Sequence, residues 1–389
     1  MAFILPKQGF AFWPVGTGDS STVVVKENEV IIQIDLHHLV KSDDKDTAHV
    51  PIVDELVRLL PKKNNRPYLS VFILTHPDED HVLGFEDLLK RVDIGEIWHT
   101  PRIFREHKGD LCYDAQKFCD EVGRRRDLTI EKGGAVGAGD RVRVIGHDDG
   151  VFKDDDDYKN FPQEWRAFPG TSLTMLDGTD YVEVFEAFIH APFKDDAADT
   201  RNNTSLALHI ALYNGARSLK GLFFGDREYP TVKEIFTKTK DKERTQYLEW
   251  DVLLAPHHCS KKVMFWADSE GGNETFKQDV MDEFDEAAQP GSYIVVSAEP
   301  DFGDGPGRCP PHLSARKKYE AIVDADHFLC THEQPTAKAP EPFKFELTDS
   351  GISYAGPGKA KSAAAAFASA LSGGRAGDEP PKTWVGHGK

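Results

Sequence analysis

The segment Leu74-Thr75-His76-Pro77-Asp78-Glu79-Asp80-His81 constrains this chain more than any other. Four metal-capable side chains, His76, Asp78, Asp80 and His81, fall within six residues, directly after the apolar stretch 71–74. A strand that ends in a loop dense with donors holds those side chains on a rigid base. Imidazole and carboxylate suit Zn²⁺, with Mn²⁺ or Fe as other occupants. Four donors on one short loop cannot all face one ion well. They can divide between two, and such a pair activates water as a nucleophile and clamps the leaving oxygen. The competing reading is a solvated acidic loop with incidental histidines. The buried character of the strand before it, and Gly84 opening a helix-like segment after it, weigh against that reading.

Two later segments have the same form. Gly221-Leu222-Phe223-Phe224-Gly225-Asp226 is an apolar strand ending in an aspartate, and 251–260 is another ending in the pair His257-His258. Taken singly, the Asp reads as a turn residue and the His pair as surface. Three strands that each deliver donors at their carboxyl ends make coincidence a poor account.

The run His76-x-Asp78-x-Asp80-His81 matches the H-x-D-x-D-H form of the metallo-β-lactamase-fold signature, so the chain resembles that superfamily of metal-dependent hydrolases. Asp78 takes the place of the second His found in many members. The start Val15-Gly16-Thr17-Gly18-Asp19-Ser20, the stretches 21–25 and 31–35, and Asn202-Asn203-Thr204-Ser205-Leu206 narrow the resemblance. So does the block Ala255-Pro256-His257-His258-Cys259-Ser260, which is similar to a His-His-Gly-Ser element. Together they look like the soluble metallo-β-lactamase-like domain of bacterial competence (DNA-uptake) proteins, over roughly residues 10–330.

The resemblance implies an α/β fold, a four-layer αβ/βα sandwich, and two divalent ions. By it, His76 and Asp78 would bind the first ion, Asp80 and His81 the second, and Asp226 would bridge, with His257 completing the second site. The first site normally gains another His. His190 is the nearest strand-end candidate, with Asn203 standing near the metal if that position is lost. A metal-bound hydroxide would attack phosphorus or carbon. Asp80 would also orient it and pass a proton to the leaving group, and His258 would act beside the metal or as leaving-group acid. Thr75 and Asp35 would hold the ligating imidazoles in one tautomer. Lys261 is placed to meet an anionic substrate, although two solvated lysines at 261 and 262 are the plainer reading. His312 either lines the pocket or caps a helix starting near Ser314. Cys259 stands where the family has Gly, which tolerates backbone angles that Cys does not. Its thiol is read as a small buried filler rather than a ligand.

Composition sets limits. The chain has 389 residues, 39% of them hydrophobic and 29% charged, an ordinary globular balance long enough for a sizeable core. No apolar run approaches the roughly 20 residues of a membrane span, and the start 2–6 is far too short for a signal h-region. A cytoplasmic protein is expected. Its five cysteines, without a C-x-x-C pair, fit reduced thiols. The net charge of −18 opposes tight non-specific binding to duplex DNA, though Arg124-Arg125-Arg126 and Lys261-Lys262 leave a basic groove open.

Along the chain, strands are expected near 20–26, 29–35, 70–75, 96–99, 181–187, 204–212, 219–225, 250–255 and 292–298, with helices at 52–60, 111–125 and 314–324 and a closing hairpin at 343–354. The unit 1–357 would carry an irregular insertion at about 104–180 lining the cleft. The Ala/Ser- and Gly/Pro-rich segment 358–389 reads as a flexible, disordered tail. The function expected is a metal-dependent phosphodiesterase or nuclease acting on an anionic phosphodiester, with nucleic acid one such substrate. The alternatives are a hydrolase of small carbonyl substrates (lactonase, thioesterase or β-lactamase-like) and a metal-stabilised binding scaffold.

Overall fold

A computed structural model describes residues 2–44, 46–101, 111–194, 202–269 and 271–357. The expected tail at 358–389 lies outside them.

The strands are β1 (Gly9–Phe12), β2 (Ser21–Lys26), β3 (Val30–Ile34), β4 (Arg66–Ile73), β5 (Asp93–His99), β6 (Arg141–Ile145), β7 (Arg166–Ala167), β8 (Ser172–Leu173), β9 (Phe185–Ala191), β10 (Ala207–Asn214), β11 (Arg217–Phe223), β12 (Trp250–Leu254), β13 (Ala288–Val296), β14 (Phe328–Cys330), β15 (Phe343–Thr348) and β16 (Gly351–Ala355). The main helices are α1 (Ile52–Leu59), α2 (Phe85–Arg91), α3 (Tyr113–Glu131), α4 (Tyr229–Asp241), α5 (Gln278–Ala287) and α6 (Leu313–Tyr319). One sheet runs β16-β15-β1-β2-β3-β4-β5-β6-β7, the other β14-β13-β12-β11-β10-β9-β8.

The two sheets pack face to face. Val23, Ile32, Val71 and Ile73 of the first meet Leu208, Ile210, Phe223 and Leu254 of the second in one buried cluster. A second apolar cluster lies under α1, α2 and α3 on the outside of the first sheet. A third lies under α4, α5 and α6 on the outside of the second. The order helix, sheet, sheet, helix is the four-layer αβ/βα sandwich.

Sequence chemistry explains the layers. Val- and Ile-rich β2 and β3 are buried along nearly their whole length, as strands covered on both faces must be. In α1, Ile52, Val53 and Leu56 are the buried stripe. Leu60, held extended by the Pro61 that follows it, ends the helix. In β9 the period of two sends Phe185, Ala187 and Ile189 into the inter-sheet core, so that Phe188 and His190 face the outer side.

The stretch expected as an irregular insertion is more regular than that reading. Its described part supplies α3 and the parallel strands β6 and β7, which extend the first sheet. Arg125, buried beneath α3, donates to the carbonyls of Ile94 and Arg141. The hairpin β15–β16 closes the first sheet beside β1.

Candidate metal centre

Parallel strands place their carboxyl ends on the same rim. β3 ends at Asp35, β4 in the loop 74–81, β11 in 224–228 and β12 in 255–260. Backbone hydrogen bonds tie these ends together. Asp35 N donates to Ile73 O (2.9 Å), Leu36 N to His81 O (2.8 Å), His257 N to Gly225 O (3.0 Å), and Leu206 N to Thr75 O (2.9 Å). The loop between β1 and β2 folds over the same rim, and Asp19 N donates to Asp80 O at 3.0 Å. Gly18 permits this approach, since a Cβ there would lie 2.1 Å from His37 Nδ1 and 2.7 Å from Asp80 O.

Asp226 stands at the centre, and its two oxygens face different neighbours. Oδ1 lies 3.2 Å from His81 Nε2 and 3.5 Å from His258 Nε2. Oδ2 lies 3.8 Å from His76 Nε2 and 3.7 Å from His257 Nε2. Asp78 Oδ2 adds to the His76 side at 3.6 Å, and Asp80 Oδ2 to the His258 side at 3.2 Å. Two donor groups therefore share one carboxylate.

The imidazoles are held from behind. Asp35 Oδ2 accepts from His81 Nδ1 (2.8 Å), while Asp35 also accepts from Thr75 N and Oγ1 (2.7 and 2.6 Å). Because the Thr75 hydroxyl proton goes to Asp35, its oxygen accepts from His76 Nδ1 at 3.2 Å. Asp19 Oδ1 lies 3.3 Å from His258 Nδ1. For His76 and His81 the Nδ1 side is hydrogen-bonded and Nε2 points inward, as in carboxylate–histidine–metal arrangements, while His258 Nδ1 faces Asp19 without a hydrogen bond.

The inward atoms are what a metal would need. His76 Nε2, His81 Nε2, His258 Nε2 and Asp226 Oδ1 are buried and make no hydrogen bond. Buried polar atoms are ordinarily paired, and orphans gathered around the Asp226 carboxylate mark a place for a cation. Asp19, His81, Asp226 and His258 offer ligand atoms all within 4.8 Å of one another. The electrostatics agree. Burial works to lower the pKa values of His81 and His258, yet Asp226 and the other nearby carboxylates hold both well above the ordinary range. Burial likewise works to raise Asp226 and Asp80, and the surrounding imidazoles hold both below the usual carboxylate range. The cluster demands positive charge, and its nitrogen and oxygen donors fit divalent ions of the Zn²⁺ or Mn²⁺ kind.

The sequence expectations sort accordingly. His76, Asp78, Asp80, His81, Asp226, His257 and His258 come together, and Thr75 and Asp35 support them as expected. The two neighbouring histidines exchange parts. His258 stands on the Asp80–His81 side, and His257 on the His76 side. Their backbones explain it: His257, His258 and Cys259 all have positive φ (50°, 50° and 66°), so the chain winds left-handed and turns both rings toward Asp226. Cys259 keeps a glycine-like angle, and its side chain is buried in the outer apolar cluster.

His190 does not join the cluster. Facing outward, its Nε2 donates to Tyr247 O (2.9 Å) and its Nδ1 accepts from Thr239 Oγ1 (3.3 Å). Asn203 is turned away as well: its Oδ1 accepts from Glu228 N and Thr231 Oγ1 at the start of α4. Its neighbour Asn202 is the one at the site, with Nδ2 3.5 Å from His257 Nε2. His312 sits at the N-cap of α6 and ties two loops, its Nδ1 accepting from Lys261 N (3.2 Å) and its Nε2 donating to Arg308 O (3.1 Å). Lys261 pairs with Glu274 (2.7 Å), and Lys262 with the buried Glu228 (3.0 Å). The basic groove at 124–126 is not there to be used: Arg124 pairs with Glu121 and Asp140, Arg125 is buried, and Arg126 pairs with Asp127 and Asp157. Asp19 and Asn202 had no assigned role in the sequence reading, and neither did His37, buried near Asp80 and pushed down to about 4 by burial.

No protein-family model matches the chain, and no curated protein does. Solved structures do resemble it. A metallo-beta-lactamase fold protein, YhfI, from Bacillus subtilis is 12% identical, with 86% of this chain and 99% of that one covered and a TM-score of 0.37. A B3 metallo-beta-lactamase with an active-site glutamic acid is 14% identical over 71% and 83% of the two chains, with a TM-score of 0.36. BJP-1, a subclass B3 metallo-beta-lactamase of Bradyrhizobium japonicum, is 14% identical over 65% and 75%, with a TM-score of 0.33. Likeness this loose carries no argument about chemistry, which rests on the site's own geometry.

Proposed function

We propose that the chain is a metal-dependent hydrolase of the metallo-β-lactamase kind, and that its substrate is a phosphodiester. The observation that carries the hydrolase reading is the division of Asp226 between His81/His258 and His76/His257. His76, Asp78, Asp226 and His257 would hold one divalent ion. Asp80, His81, Asp226 and His258 would hold the other. Such ions supply Lewis-acid polarisation of the scissile group and a water acidic enough to lose its proton near neutral pH.

The chain's own groups do the rest. Asp35 and Thr75 fix the His81 and His76 imidazoles, so little reorganisation remains there when substrate arrives. Asp80 is the most open carboxylate of the cluster, with a side chain 36% exposed against 4% for Asp226. That exposure suits it to pass a proton toward a leaving group. Asn202 presents an amide beside His257, where an anionic oxygen would find a donor.

The phosphodiester reading follows from the competence-like motifs, with DNA the natural candidate. One observation favours a second reading. Both lysines beside the site are neutralised by Glu274 and Glu228, and the chain carries −18, which suits a small carbonyl substrate such as a lactone better than a polyanion.

Elemental analysis of purified protein should find two divalent ions per chain. The protein should hydrolyse bis-p-nitrophenyl phosphate, and Asp226→Ala should lose both metal and activity. Turnover of lactones alone would remove the phosphodiester assignment. Protein that binds no divalent ion would remove the hydrolase reading altogether.

A further inference from the structure

A cavity of about 410 Å³ lies between the last turn of α4, the outer side of β9 and the turn at Gly170, and its described lining includes none of the donors clustered around Asp226. Its walls divide by chemistry. Phe188 and Phe193 supply its apolar side chains, and Lys238, Lys242 and Arg244 its cations. Asp241 is the one carboxylate among the described lining residues. Among the described lining residues cations outnumber carboxylates, in a chain of net charge −18.

The three cations are unequally engaged. Lys238 pairs with Glu234 on its own helix and lies 3.9 Å from the Phe193 ring centroid, joining the charged rim to the apolar wall. Lys242 and Arg244 form no ion pair among the described residues, and Arg244 donates to Gly170 O. The C-terminus of α4 contributes about half a negative charge, which together with Asp241 leaves Lys242 and Arg244 in slight excess. His190 forms part of the floor, with both ring nitrogens already bonded. Phe188 stacks on Tyr247 at 3.9 Å and 7°, which makes a stiff aromatic wall.

We propose that this cavity binds a small organic anion with a flat apolar body, the chemical class of a nucleoside monophosphate, at a site separate from the metal centre. The volume lies within the range of roughly 300–1,000 Å³ usual for such ligands and is far more than inorganic phosphate would fill. The phosphate meets Lys238, Lys242 and Arg244, and the base meets Phe188 and Phe193. The site lies at the far end of α4 from Tyr229, roughly 18 Å along the helix. Binding there therefore does not depend on what the metal centre hydrolyses.

The test is calorimetric titration of 5′-AMP, and separately of inorganic phosphate, into the metal-loaded full chain. AMP should bind at one saturable site. The double variant Lys238→Glu/Lys242→Glu should weaken it by at least about tenfold, with the circular-dichroism melt unchanged. Lys90→Glu/Lys153→Glu, with the same change in net charge elsewhere on the surface, should leave it as it is. Inorganic phosphate should bind far more weakly than AMP. The proposal is overturned if AMP does not bind, if binding survives the Lys238/Lys242 reversal, or if phosphate binds as tightly as AMP. Competition between AMP and a metal-centre substrate would also overturn it, because AMP would then lie at the cluster.

Discussion

Asp35 Oδ2 accepts a 2.8 Å hydrogen bond from His81 Nδ1, and both groups are fully buried. The bond sets the imidazole with its other nitrogen toward Asp226. Asp35→Asn keeps the shape and removes the charge that makes His81 a strong donor to metal. Affinity for the ion on the Asp80 side should fall by about 10- to 100-fold, read by competition with a chelating dye. Unchanged affinity would deny Asp35 a role in the centre.

Adjacent histidines serve opposite sides of Asp226, which makes a stoichiometry experiment possible. His257→Ala and His258→Ala should each cost about one ion per chain. Adding His76→Ala should cost nothing more in the first background, because His76 shares that side, and should remove the remaining ion in the second. Equal losses in both double variants would refute the division of the cluster.

His190 bears on stability rather than on metal. Burial pushes it down to about 4 from its ordinary 6.5, so the folded state holds it neutral. Below pH 6.5 the unfolded chain takes up a proton that the folded chain refuses. Stability is therefore fully present above about pH 6.5 and is lost as pH falls toward 4, by an amount on the order of 3 kcal/mol from this group. His190→Gln should flatten that part of the curve of denaturation midpoint against pH and leave metal content intact. Loss of metal in His190→Gln would return the residue to the ligand set.

Cys259 tests the filler reading. Burial pushes its thiol well up, and its Sγ lies 4.0 Å from His312 O. The folded protein should protect this thiol from a thiol reagent. Cys259→Ala should leave metal content unchanged and lower stability by about 1 kcal/mol. A drop in bound metal would make the sulfur a ligand.

Much of the centre could be read from the chain because its donors are gathered at strand ends. The loop 76–81 alone supplies four of them, and Asp226 and the 257–258 pair close separate apolar runs. What could not be read depends on contacts made only in the folded state. Asp19 reaches His258 because the loop between β1 and β2 lies over Asp80. His190 stands at a strand end, as expected, but its neighbour Ile189 takes the inward direction, and alternation sends the imidazole to the far side. Asn202 and Asn203 share one turn of 3-10 helix, and nothing in their order tells which faces His257. The layered fold was legible from alternating strands and helices. The helix expected at 111–125 was legible too, whereas the strands at 141–145 and 166–167 were not, because they are short and hold their places through pairing with β5 and with each other.

The left-handed winding at 257–259 has a mechanical corollary. On an ordinary strand, side chains at 257 and 258 would part to opposite faces and only one could reach Asp226. Each positive φ in a residue with a side chain costs on the order of 1 kcal/mol, so the turn is kept coiled by what surrounds it. Were it to relax, both halves of the cluster would lose an imidazole in the same motion. The two sides of the cluster are thus yoked through three residues of backbone, and a single cut or slip in that turn would part them together.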